Sequence, residues 1–168
     1  MKIITHKQIE LCRQFDRIAQ KQVFEILYPA LFRVVQRYLV NVNQAEDCVM
    51  RGMMKIFLQL GTFNYKDEYS LFNWARKVMV NEALMELRKR TNFFLLSEVE
   101  VPDYPDSSDI LNKMESEEIF HLILKLPDGY RTVLNLFIIE GYSHKEISEM
   151  LGISESTSKT QYRKAKIG

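Results

Sequence analysis

The chain has 168 residues, with 23 basic and 22 acidic side chains and a formal net charge of +1, a length that allows one ordinary domain or two small ones. Hydrophobic residues make up 46% and charged residues 27%, a globular balance that excludes wholesale disorder. Six glycines and four prolines are too few for a many-turned β-sandwich or barrel.

In chain order, the first strong signal is Phe24, Leu27, Tyr28, Leu31, Phe32, Val35, Tyr38 and Leu39. Apolar residues at three- and four-residue spacing predict one stripe on a long helix. Pro29 lies inside it, and because the stripe continues in register beyond, a kink is expected rather than an end. Asn43 followed by Glu46 reads as a cap with an acid at the third helical position. It opens a second helix through Val49, Met53, Ile56, Phe57 and Leu60, with Gly61 expected to close it in a left-handed conformation. After a loop over 62–69, Ser70 reads as the cap of a third helix from Leu71 to about Arg90. No useful period-two alternation occurs, so the fold expected is all-α.

From Thr91 the pattern changes. Residues 97–109 combine Pro102 and Pro105 with serines and the acids Glu98, Glu100, Asp103, Asp106 and Asp109, the composition of an extended, self-repelling linker. Helical periodicity resumes at Ile110, Leu111 and Met114, then Ile119, Phe120, Ile123 and Leu124. Three parts are therefore expected: a helical domain over 1–92, an acidic linker over 93–112 and a second helical domain over 113–168. Charge is segregated in the same way: +6 over residues 1–96, −7 over 97–128 and +2 over 129–168. Two basic lobes around an acidic middle fit a polyanion-binding protein, and equally an ordinary solvated surface.

The last forty residues carry the most specific local signal. Ser143-His144-Lys145-Glu146 forms a capping box, in which the hydroxyl reaches the third amide and the glutamate returns to the cap. Gly152 supplies the positive φ for a sharp turn, and Ser154 caps the helix that follows. A short capped helix, a glycine turn and a second capped helix make a helix-turn-helix, whose second helix is presented to the major groove. On it, Ser158, Tyr162 and Ala165 are spaced to pack inward with Ile147 and Ile153, while Ser156, Lys159, Thr160 and Arg163 share the opposite face. Hydrogen-bonding and basic side chains suit base edges and phosphates, although a solvated polar face has the same pattern.

The segments Leu126-Pro127-Asp128-Gly129-Tyr130-Arg131-Thr132-Val133, Glu140-Gly141-Tyr142-Ser143-His144-Lys145-Glu146-Ile147 and Leu151-Gly152-Ile153-Ser154 resemble region 4 of extracytoplasmic-function (ECF) sigma factors. Tyr28-Pro29-Ala30-Leu31-Phe32, Ala45-Glu46-Asp47, Phe72-Asn73-Trp74, Val80-Asn81-Glu82-Ala83-Leu84 and Leu87-Arg88-Lys89-Arg90 resemble region 2 of the same family. The resemblance covers about residues 9–90 and 113–166. It implies a bacterial initiation factor that binds core RNA polymerase and reads promoter DNA, the −35 element through region 4 and the opened −10 element through region 2. It assigns Ser156, Lys159, Thr160 and Arg163 to the −35 element. Arg76, Lys77, Arg88, Lys89 and Arg90 would supply charge to the −10 strand, Asn81 a base contact and Trp74, with Phe72, a stacking surface. Trp74 also fits a core position beside Leu71, Ala75 and Val78, and Asn81 a helix-boundary role. Asp47, Met50, Arg51, Met54 and Phe57 would dock on core polymerase. After Ala45-Glu46-Asp47 the family pattern runs two apolar residues, Gln-Glu, a small residue and Phe; this chain has Met50-Arg51 where Gln-Glu is usual. The resemblance further implies an anti-sigma partner. A stand-alone helix-turn-helix regulator, whose first lobe binds a different protein, is the alternative that the Met50-Arg51 departure favours.

Enzymatic chemistry finds no support. The chain has no glycine-rich phosphate loop, no nucleophile elbow and no metal-ligand spacing, so neither catalysis, metal nor cofactor is expected. His6, His121 and His144 are scattered, and Cys12 and Cys48 sit on apolar faces as packing thiols. Two cysteines are too few for a disulfide framework, no apolar run reaches the ~20 residues that span a bilayer, and the first seven residues lack a secretory core. A cytoplasmic protein without membrane insertion is expected.

Overall fold

The computed structural model describes residues 3–90 and 116–167. It is all-α: among the described residues no strand occurs, and the helices divide into two units, Met1–Lys89 and Arg90–Gly168. The expected linker over 93–112, its acids and the periodic residues Ile110, Leu111 and Met114 lie outside the described residues.

The first unit holds four helices: α1 (His6–Arg13), α2 (Arg17–Gln36), α3 (Val42–Gln59) and α4 (Glu68–Arg88). Helix α1 begins on Thr5 and Gln8, a reciprocal capping box that hydropathy does not mark, because only Ile9 and Cys12 on the helix are buried. Helix α2 runs through Pro29 to Gln36 without a break. Its buried row is Val23, Leu27, Leu31, Val34 and Val35, one position off part of the expected stripe. Phe24, Tyr28 and Phe32 are half-buried and form a ladder of rings along the flank, with centroids 5.1 and 5.8 Å apart. Large rings at i, i+4 and i+8 gain contact with one another without entering the core.

Three boundaries differ from expectation. The cap of α3 is Asn41, whose side chain accepts from the Gln44 amide at 3.1 Å; Asn43 is already helical. Helix α3 passes at Leu60 into a right-handed turn, and Gly61 is not left-handed; the positive-φ glycines are Gly141 and Gly152. Helix α4 starts at Glu68, before Ser70. Asp67 accepts from the Ser70 amide at 2.7 Å while the Ser70 hydroxyl accepts from the Asp67 amide at 3.2 Å, so Ser70 is the far member of a box rather than the cap. Both residue types cap well, and the exposed Tyr69 left no buried residue to mark the first turn.

The core of the first unit is built from Val23, Leu27, Leu31 and Val35 of α2, Val49, Met53 and Ile56 of α3, and Leu71, Met79, Ala83 and Leu87 of α4. Gly52 lets α3 and α4 close together: a Cβ there would collide with the Met79 sulfur. Both cysteines are buried and unpaired.

The second unit holds α5 (Ser116–Lys125), α6 (Asp128–Leu134), which continues as a π-turn over Asn135–Ile139, then α7 (His144–Leu151) and α8 (Glu155–Ile167). Among its described residues, Phe120, Ile123, Leu126, Tyr130, Val133, Leu136, Ile147, Leu151 and Ala165 are the buried apolar ones. Arg131, only 2% exposed, is held by Asp128 and donates to the Leu126 carbonyl at 2.6 Å, which offsets part of the cost of burying a cation.

Candidate nucleic-acid interface

The helix-turn-helix forms as its local sequence dictates. Ser143 accepts from the Glu146 amide at 3.2 Å, and the Glu146 carboxylate accepts from the Ser143 amide at 2.8 Å. That bond holds the Glu146 carboxyl below its ordinary pKa. Gly152 turns the chain at φ +67°, a conformation that costs about 1–2 kcal/mol for a residue with a Cβ. Ser154 then accepts from the Thr157 amide at 3.0 Å and fixes the start of α8.

Packing sorts the faces of α8. Ser158, Gln161 and Ala165 are buried, and Tyr162 is half-buried against Phe137, 4.6 Å between ring centroids. Ser156, Lys159 and Arg163 are exposed and Thr160 is half-buried. At about 100° per residue these four lie within about 100° of one another, opposite the buried row. Gln161, 2% exposed, was not assigned from sequence, because nothing local marks a glutamine as inward-facing; its carboxamide lies against Gly129, the one position on α6 where no side chain intrudes.

His144 joins the two helices of the motif. Its Nδ1 lies 2.8 Å from the buried Ser158 hydroxyl, and its ring stacks on Phe137 at 4.3 Å with planes 13° apart. Partial burial and the nearby Lys159 push its pKa below the ordinary value, against a smaller upward pull from Glu155.

In the first unit, α4 gathers part of the residues assigned to the −10 strand. Trp74, Lys77, Asn81 and Arg88 are spaced three, four and seven apart and fall within about 60° of one another; Lys77, Asn81 and Arg88 are exposed and Trp74 is half-buried. Met85, 47% exposed, lies in the same row. Arg76 is half-buried on the other side of the helix, and Lys89 is drawn toward Glu86 at 3.5 Å. Arg90 follows the helix, half-buried, and heads the second unit.

Trp74 is not in the core. Its indole stacks on Phe63, centroids 4.4 Å apart and planes 12° from parallel. Phe63 sits in the turn after α3, and Arg13 of α1 holds that turn by donating to the carbonyls of Leu60 at 3.1 Å and Phe63 at 2.6 Å. Phe72 is half-buried.

The outer face of α3 divides as its periodicity implies. Val49, Met53, Ile56 and Leu60 are buried, whereas Met50 and Met54 are 50% and 64% exposed. Asp47 is exposed beside them and Phe57 half-buried; Leu58, also exposed, extends the patch beyond the residues assigned from sequence. Arg51 is engaged inside the unit, 3.2 Å from Glu86 and 3.8 Å from Glu82.

Comparison with known proteins matches residues 23–93 to the Sigma-70 region 2 family and residues 116–167 to Sigma-70, region 4. The chain is 27% identical to the ECF RNA polymerase sigma factor SigW of Bacillus subtilis, over 99% of this chain and 95% of SigW. It is 30% identical to RNA polymerase sigma factor SigZ of the same organism, over 72% of this chain and 68% of SigZ. The ECF RNA polymerase sigma factor SigM of Mycobacterium tuberculosis is 23% identical over 90% of this chain and 75% of its own length.

Proposed function

The chain belongs to the ECF sigma factors, which direct RNA polymerase to promoters, and on that premise we propose how its two units share the work. The second unit reads the −35 element through α8, with Arg163 and Ser156 at base edges, Lys159 on phosphate and Thr160 at the margin. The first unit holds the displaced −10 strand along α4. There Lys77 and Arg88 meet phosphates, Asn81 meets a base, and the Trp74–Phe63 stack offers an aromatic platform. Arg76 and Lys89 add positive charge at the edges of that surface rather than contacts within it, whereas Arg90 belongs to the second unit, where it pairs with Asp128 at 2.5 Å. Core polymerase docks on the outer face of α3, on Asp47, Met50, Met54 and Phe57, with Arg51 at its border.

The observation that carries this reading is the exposure of Ser156, Lys159 and Arg163 on one face of a helix whose opposite face is buried, behind a capped glycine turn. The alternative of a stand-alone regulator drew on the reversed charge at Arg51. That charge is balanced within the first unit by Glu82 and Glu86, so it does not argue against a polymerase partner. An anti-sigma protein that covers one or both units is part of the proposal, supported by family membership. Among the described residues no helix is long and apolar enough to cross a membrane.

Selection from duplexes randomised over two blocks, with core polymerase and this protein present, tests the reading. Enrichment of two separated blocks, with the upstream block altered by Arg163→Ala and the downstream block by Asn81→Ala, is the expected result. Enrichment of one block only, identical with and without core polymerase, would establish the stand-alone regulator instead.

A further inference from the structure

Between α3 and α4 lies a group of charges whose acidic members, Glu82 and Glu86, the functional reading does not use. Glu82 is 5% exposed and is paired with Lys55 and, at 3.8 Å, with Arg51. One turn along α4, Glu86 is 3.2 Å from Arg51 and 3.5 Å from Lys89. Arg51 and Lys55 are one turn apart on α3, as Glu82 and Glu86 are on α4, so the four form an antiparallel ladder with Arg51 opposite Glu86 and Lys55 opposite Glu82.

The apolar part of the seam fits closely at one point, where Gly52 of α3 lies against the Met79 side chain of α4, both buried. The ladder adds a charge-based constraint on axial register to that contact. A slip of four residues in one direction sets Arg51 opposite Glu82 and Lys55 opposite Val78, leaving Glu86 with Lys89 alone. A slip the other way sets Lys55 opposite Glu86 and the buried Glu82 opposite Gln59, which strands a carboxylate out of water. Of the four only Glu82 is buried, and setting register is the best-attested use of such a charge.

We propose that Glu82 and Glu86 are positioning residues that fix α3 on α4 and thereby hold the docking surface Met50–Met54 in a set relation to the strand surface Lys77–Asn81–Arg88. The inference rests on the function proposed above, in which those two surfaces bind core polymerase and the −10 strand. Arg51 acts within this ladder, which gives the Met50-Arg51 departure a use inside the protein.

The test compares the full-length parent, Glu86→Gln, the double variant Glu82→Gln with Glu86→Gln, and the exchange Arg51→Glu with Glu86→Arg. In the exchange Glu82 keeps Lys55 and gains the introduced guanidinium one turn along its own helix. Three quantities are read: core-polymerase affinity, opening of a duplex promoter, and binding of the same promoter with its −10 block already unpaired. The double variant should lose duplex opening about tenfold, keep core affinity within about threefold, and bind the unpaired template within about twofold of the parent; the exchange should recover opening to within about threefold. If the double variant is unfolded at assay temperature, Glu86→Gln alone, at a half-buried position, should show a loss of about threefold in opening with the same pattern. Parent-like opening by a variant without the ladder would overturn the proposal, as would equal losses on duplex and unpaired templates or an exchange that folds and binds core polymerase like the parent without restoring opening. A parent protein that never initiates with core polymerase overturns the functional reading instead.

Discussion

Gly152 and His144 show how single residues set the geometry of the reading helix. Replacing Gly152 by Ala forces a Cβ into φ +67° although open space surrounds it, so the loss is conformational. We expect the second unit to lose about 1–2 kcal/mol of stability, measured by urea unfolding. Ser143→Ala should cost about 1 kcal/mol through the lost cap. His144 titrates below its ordinary value, so the unfolded chain binds its proton more tightly. Its contribution to stability is present above about pH 6.5 and is lost as pH falls through the folded-state pKa. A ring-proton titration with a midpoint below 6.5 is expected; a midpoint above it would reverse the sign. The thiols of Cys12 and Cys48, pushed up by burial to about 11 and about 12, should resist alkylation at neutral pH until the protein unfolds. The capping box at Ser143, the turn at Gly152 and the inward cysteines were legible in the sequence because each depends on neighbours within a few positions. Gln161 was not, because its burial depends on Gly129, far away in the chain.

Helices, unlike single residues, were legible in kind and less so at their ends. Two cap-competent residues three positions apart, Asp67 and Ser70, form the two ends of one box, and the local pattern favours the wrong member. On α4 the spacing of Trp74, Lys77, Asn81 and Arg88 was present in the sequence, yet the stack of Trp74 on Phe63 was not, since it depends on the turn that Arg13 holds from α1. The same is true of the ladder: Arg51 and Glu86 are 35 positions apart, and no local rule pairs them. Because Arg13 holds the Phe63 turn, Arg13→Ala should loosen the aromatic platform at a distance. The expected outcome is a red-shifted and more quenchable Trp74 emission, with binding of single-stranded −10 DNA weakened about threefold and duplex binding by α8 unchanged. Identical emission and strand affinity would show that Phe63 keeps its place without Arg13.

At the scale of the whole molecule, charge decides how each unit meets DNA. The formal net charge is only +1, with −7 concentrated in residues 97–128, so long-range attraction to a duplex is weak and the isolated protein should bind promoter DNA poorly. Neutralising Glu98, Glu100, Asp103, Asp106 and Asp109 to their amides should raise nonspecific affinity at low salt, with the gain vanishing as salt is added. Specific contacts behave differently. Arg163→Ala should cost about 1–3 kcal/mol and change sequence preference, whereas Lys159→Ala should weaken binding to all sequences and reduce the salt slope by about one. In the function proposed, one chain both docks on polymerase and chooses its start site. Run-off transcription from a genomic template library by purified core polymerase, with and without this protein, tests it most directly. The expected result is a small set of discrete transcripts that appear only when the protein is present, disappear with Arg163→Ala, and share two sequence blocks upstream of their starts. Transcripts that are the same with and without the protein, under conditions where it binds duplex DNA specifically by itself, would contradict it.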